Sequence, residues 1–188
     1  MFPASEAHRL EDPERLEWLP PDQILALLNI TPGETIADIG AGTGYFTLPM
    51  AEQAGPEGRV IAIDMQDEML DWIRKKMKSA GLKNIEPVIA VAELTRLRDE
   101  ECDLVFMANV WHEFPDRDVV LTEAMRVLKP GGRIAIVDWR PDVKREAGPP
   151  LDHRIAMEAC AHRLQRAGFN PGSMGNAGKY SWIVLGTR

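Results

Sequence analysis

Five residues in the first third of the chain have the types and the spacing to meet a ligand. Asp38, Gly40, Gly42 and Gly44 stand in "IADIGAGTGYFT", Ile36 to Thr47, where a short apolar run ends in an acid and glycines then alternate with small residues. Asp64 ends the next apolar run, "RVIAID". A glycine turn lets a ligand approach the backbone closely. A carboxylate at the end of the following strand can accept hydrogen bonds from the vicinal hydroxyls of a ribose. The spacing here is G-x-G-x-G. The dinucleotide fingerprint needs G-x-G-x-x-G, and Tyr45 occupies its last glycine position.

Such residues work only if a parallel sheet brings them to one edge, and the rest of the chain supplies that pattern. "DPERLEWL" reads as a short helix with Asp12 as its cap and Pro13 in its first turn. Pro20 and Pro21 break it, and Asp22 can cap a second helix with an apolar face of Ile24, Leu25, Leu27 and Leu28. From "TIADIG" onward, strands alternate with helices. The strands are "TIADIG", "RVIAID", "IEPVIAV", "CDLVFMANV" and "RIAIVDW". The helices are "TGYFTLPMAEQA", "DEMLDWIRKKMKSA" and "DRDVVLTEAMRVLK", the last stopped by "PGG". "DHRIAMEACAHRLQRAG" is one more helix. "YSWIVLGTR" is a final strand, with a short one before it near Phe169. The alternation predicts an α/β, Rossmann-like, doubly wound and mostly parallel sheet with helices on both faces. Ligands of such sheets bind beyond the carboxyl ends of the strands. The residues there are Asp38, Asp64, the run Val91–Ala92–Glu93, the run Asn109–Val110–Trp111–His112, and Asp138–Trp139–Arg140.

The chain has 188 residues, enough for one domain with a real core. Its net charge of −7 disfavours a nucleic-acid partner. No apolar run approaches the roughly 20 residues that cross a bilayer, so no integral membrane segment is expected. Two cysteines far apart, Cys102 and Cys160, and no secretory leader suit a reducing cytoplasm, with both thiols in the core. No Cys/His cluster points to a metal. Nothing in the chain decides its oligomeric state.

No lysine or arginine lies within the glycine turn to meet phosphates, and Asp38 beside it suits a cationic ligand. A nucleoside carrying an amino acid through a sulfonium has that character. With "IADIGAGTG", "VIAIDMQDEML", "CDLVFMANVWHEFPD" and "RVLKPGGRIAIVDW" in order, the chain resembles the class I S-adenosylmethionine-dependent methyltransferases. The branch is the one that also holds quinone-biosynthesis and arsenite methyltransferases. The resemblance runs from about Pro32 to the end. It implies a single domain, with residues 1–31 as an N-terminal helical cap and residues 32–188 as a Rossmann-like core. That core would hold a seven-stranded sheet with an antiparallel last strand.

The resemblance also implies S-adenosylmethionine as cofactor and a small-molecule acceptor. Asp38, Gly40, Gly42 and Gly44 would surround the methionine end. Asp64 would hold the ribose, Met65 would pack on the adenine, and Ala92 and Glu93 would lie at its edge. Asn109 would sit by the methionine amino group through its backbone carbonyl. Val91 stands where many relatives have an acid. Arg9 and Arg15 would reach the cofactor carboxylate if the N-terminal segment folds over the site. His112 is a candidate general base, and equally a histidine that packs in a first turn. Trp111 is either a substrate wall or a core aromatic. His153 and Arg154 are either pocket-facing or a solvent-exposed pair. Asp38 and Asp64 also read as capping acids. The loop Arg140 to Arg154 would roof the acceptor. Two cysteines in these places argue against arsenite. A protein that only binds the cofactor, or an NAD(P)-dependent oxidoreductase, would share part of the pattern.

Overall fold

β-branched runs on alternating faces build one seven-stranded sheet in the order β3–β2–β1–β4–β5–β7–β6. The computed structural model describes residues 2–144 and 148–188. The strands are β1 (Thr35–Ile39), β2 (Arg59–Asp64), β3 (Ile85–Ile89), β4 (Cys102–Ala108), β5 (Leu128–Trp139), β6 (Asn170–Asn176) and β7 (Ser181–Thr187). β1 to β5 run parallel, and β7 pairs antiparallel with both β5 and β6. The chain walks outward from β1 to β3, then returns to β4 on the other side of β1. That reversal opens a crevice at the carboxyl ends of β1 and β4.

Helices α1 (Arg15–Trp18), α2 (Pro21–Leu28), α3 (Thr47–Ala54), α4 (Asp67–Ala80), α5 (Arg117–Val127) and α6 (Met157–Arg166) complete the wrapping. Successive strand residues face opposite layers. Ile36, Val60, Leu104, Phe106 and Val137 pack on the face that also holds Leu25, Met50 and Ile73 from α2, α3 and α4. Ala37, Ile61, Val105 and Ile136 pack on the other, with Leu121 of α5 and Leu164 of α6. Cys102 and Cys160 are free and buried in that second layer. Among the described residues no helix is long and apolar enough to cross a membrane.

Several boundaries differ from the sequence reading. α3 starts at Thr47 rather than Thr43, because Gly44 has φ +86°, which a right-handed helix does not accept. Pro20 occupies the cap position of α2, with Pro21 first in the helix, so Asp22 does not cap it. β5 begins at Leu128, ahead of "PGG". Leu128 pairs with Cys102, and the register then shifts before Arg133 pairs with Leu104. Pro130 lacks an N–H and Gly131 has φ +78°, so the ladder bulges there and resumes.

Candidate active site

The glycine turn is built mainly against protein. A Cβ on Gly40 would come within 2.5 Å of Val110 Cγ1, and one on Gly44 within 2.9 Å of Ile73 and Leu48. Those two glycines let β4 and α4 close on the turn. Gly42 differs: at φ +53° it faces space entered only by Leu10 Cδ1, at 3.5 Å. Asp38 lies beneath the turn, 2 % exposed, and accepts a 2.5 Å hydrogen bond from the Thr47 hydroxyl. Burial pushes its carboxyl up to about 7, and the nearby Asp64 charge adds to this. Among the described residues it caps no helix N–H.

Asp64 sits at the mouth. Its Oδ2 accepts from Gly42 N and its Oδ1 from Gln66 N, both at 2.9 Å. Burial raises its carboxyl above the usual range, and those backbone N–H groups oppose the rise. Asp64 pairs with Ile89, and Ala90 N donates to Asp64 O. The chain then turns tightly from Val91 to Leu94, with Ala92 and Glu93 at its tip. Met65 and Val91, 49 % and 40 % exposed, are apolar groups left uncovered beside the acid.

The N-terminal segment lies over this mouth. A 3-10 helix, Ala4–Glu11, is tied down by Gln66, which accepts from Ala4 N and donates to Phe2 O. Lys76 bridges Glu11 and the Thr43 carbonyl. Arg15 is 7 % exposed, stacks 4.1 Å above the Tyr45 ring and donates to Leu10 O. Its Nε has no partner among the described residues, and burial pulls the guanidinium down to about 10. Arg9 pairs with Glu6 in solvent instead.

At the end of β4, Asn109 adopts φ +57°, and its buried Oδ1 has no partner among the described residues. An asparagine held left-handed with an orphaned acceptor is a group waiting for a donor. Trp111 is fully buried, edge-on to Phe114 at 6.1 Å, so it is core and not an open wall. His112 lies over Asp138 at the end of β5. Its Nδ1 is 2.8 Å from Oδ1 and its backbone N donates to Oδ2 at 2.7 Å.

The loop after β5 departs most from expectation. Arg154 is buried rather than exposed. Its guanidinium donates to the carbonyls of Pro149, Arg140 and Val143 and packs 5.3 Å from the Trp139 ring. It clamps the loop. His153 is exposed on a short 3-10 turn. Arg145, Glu146 and Ala147 of the expected roof lie outside the described residues.

The methyltransferase-domain family pattern matches residues 37–136, more than half of the chain. A crystal structure of an S-adenosylmethionine-dependent methyltransferase from Aquifex aeolicus superposes with TM-score 0.93 and 33 % identity over 100 % of this chain and 99 % of that one. The chain belongs to the S-adenosylmethionine-dependent methyltransferases. A demethylmenaquinone methyltransferase of Listeria welshimeri is 35 % identical over 62 % of this chain and 49 % of its own length. A ubiquinone/menaquinone biosynthesis C-methyltransferase of Cupriavidus metallidurans is 33 % identical over 74 % of this chain and 61 % of its own. The chain thus spans about half the length of the Listeria methyltransferase.

Within this methyltransferase fold, the structure gathers Asp64, Met65, Ala92, Glu93, Gly42 and Asn109 at one crevice edge. It sets Asp38 below them and takes Trp111 and Arg154 into packing. The sequence shows Asp138 only as a strand end, and its hold on His112 is not visible there. The available signal was an acid at the end of β5, adjacent in the sheet to the histidine after β4.

Proposed function

We propose that this chain binds S-adenosylmethionine and transfers its methyl group to a small-molecule acceptor. One observation carries the reading. Two buried polar atoms without partners among the described residues, Arg15 Nε and Asn109 Oδ1, flank a glycine turn whose neighbouring acid, Asp64, is oriented by backbone N–H groups. A donor and an acceptor on either side of the turn suit the carboxylate and ammonium of an amino acid. An acid beside exposed Met65 and Val91 suits a ribose and its base. The residues therefore fit the group by chemistry as well as by family.

When bound, this cofactor supplies an electrophilic methyl carbon with a neutral thioether as leaving group. The chain's own work is binding and alignment. Asp64 accepts from the ribose hydroxyls, and Met65 and Val91 cover the base. Asn109 accepts from the ammonium, by Oδ1 or its backbone carbonyl, and Arg15 donates to the carboxylate. Asp38, held beneath, biases the turn toward a cation. Holding acceptor and methyl donor in line can lower the barrier by about 7–11 kcal/mol. Two buried free thiols support placement in the cytoplasm.

Calorimetric titration with S-adenosylhomocysteine, run beside NADH, tests this. The expected result is saturable binding of the first ligand alone, weakened about 100-fold by Asp64→Ala. Folded protein that binds NADH instead would overturn it.

A further inference from the structure

His112 is held by Asp138 with more care than packing needs. Asp138 is fully buried, and three of its contacts come from one neighbourhood: the His112 ring at 2.8 Å, His112 N at 2.7 Å and Trp139 N at 2.8 Å. The Oδ1 facing the ring already accepts from Trp139 N, so His112 Nδ1 donates and the lone pair is left on Nε2. Nε2 has no hydrogen bond among the described residues; the Glu113 carboxylate lies 3.9 Å away. Arg117 of α5 fixes the same segment, donating to the carbonyls of Trp111 and His112. The groups around the imidazole are thus Asp138 of β5, Glu113 beside it, Arg117 of α5 and the Cys160 thiol of α6 near Asp138.

We propose that His112 and Asp138 form a proton-accepting pair, and that the acceptor is a neutral molecule with a weakly acidic hydroxyl, a phenol or enol. This rests on the methyl-transfer reading above and deepens it. The acceptor oxygen forms the new bond to the methyl carbon. The carbon–sulfur bond breaks with its electron pair remaining on sulfur, and the hydroxyl proton passes to Nε2. The positive charge lost from the sulfonium reappears on the imidazolium, where Asp138 faces it. The proton then leaves to water on the Glu113 side, since Glu113 keeps solvent contact. His112 is the catalytic residue and Asp138 the positioning one. An acceptor with no proton to lose has no use for the pair.

The test uses the full chain, His112→Gln and Asp138→Asn in three measurements. Titration with S-adenosylhomocysteine should give the same affinity within about 2-fold in all three. Nitrogen-15 NMR of the wild type should show neutral His112 protonated at Nδ1, with its titration shifted in Asp138→Asn. Labelled methyl transfer to catechol and hydroquinone should fall about 100-fold in His112→Gln. The one-proton rise of rate with pH should vanish there and move in Asp138→Asn. Nicotinamide, whose ring nitrogen attacks with no proton to lose, should be a poor acceptor. An Nε2-protonated tautomer, undiminished hydroxyl transfer in His112→Gln, or failure of a cofactor-binding protein to methylate either phenol would overturn the proposal. Failure of the wild type to bind S-adenosylhomocysteine would overturn the underlying reading instead.

Discussion

Asp64 and Asp138 end two strands of one sheet at the same edge, and the chain holds them in different ways. Asp64 is gripped by backbone N–H groups of the turn and of Gln66, and it stands beside uncovered Met65 and Val91. Asp138 is sealed, and it reaches the crevice only through the His112 ring. In the proposed reading the first is a contact for ligand; the second is a support for another side chain. The same residue type at the same place in a strand thus takes its role from what surrounds its oxygens.

The sharpest way to break that contrast is to truncate both acids. Asp64→Ala should cost about 2–3 kcal/mol of S-adenosylhomocysteine affinity and less stability than the other truncation, because water at the open mouth can reach the Gly42 and Gln66 N–H groups it leaves. Asp138→Ala should do the reverse. Removing it strands the N–H groups of His112 and Trp139, at roughly 2–3 kcal/mol, which is on the order of 5–10 °C in Tm. Calorimetric titration and thermal denaturation of both variants decide it; equal losses in both assays would erase the distinction.

A finer probe separates the two ends of the ligand. Arg15→Met should lower S-adenosylhomocysteine affinity about 10-fold while leaving adenosine affinity unchanged, because only the former carries a carboxylate. Equal weakening of both would place Arg15 in packing alone.

The smallest expected effect concerns Asp38. Burial raises its folded pKa to about 7, above the unfolded value near ~3.9. The folded state therefore binds more protons across that window. The stability this group contributes is present below pH ~4 and is lost as pH rises through about 7. Asp38→Asn should raise Tm by a few degrees at pH 8 and not at pH 4, while weakening a cationic cofactor. A Tm gain at pH 4 would contradict that sign.

The cofactor side was readable because its signals are local. The glycines, Asp38 and Asp64 fall where strand–turn–helix–strand geometry needs them. Two of the three glycines nevertheless serve Val110, Ile73 and Leu48 rather than ligand, a distinction that spacing does not carry. The acceptor side was not readable, because its contacts cross the sheet. His112 meets Asp138 only once β4 and β5 are paired, and Arg154 meets the carbonyls of Arg140 and Val143 only once the loop has folded back. Trp111 and Trp139 have the same residue type and similar positions after strands. Both are buried; their partners make one part of the helix-covered core and set the other between Trp18 and Arg154.

That stack has a mechanical consequence. Arg154 lies on Trp139, Trp139 on Trp18 at 5.1 Å, and Arg15 contacts both Trp18 and Tyr45 of the glycine turn. Two cations and three rings form one continuous column from the loop after β5 to the turn after β1. A ligand that draws Arg15 away from Tyr45 also unloads Trp18, and through it the indole that anchors the far loop. The two loops are joined through these side-chain contacts. Trp18 and Trp139 sit at the joint, so their native fluorescence reports the linkage without a label.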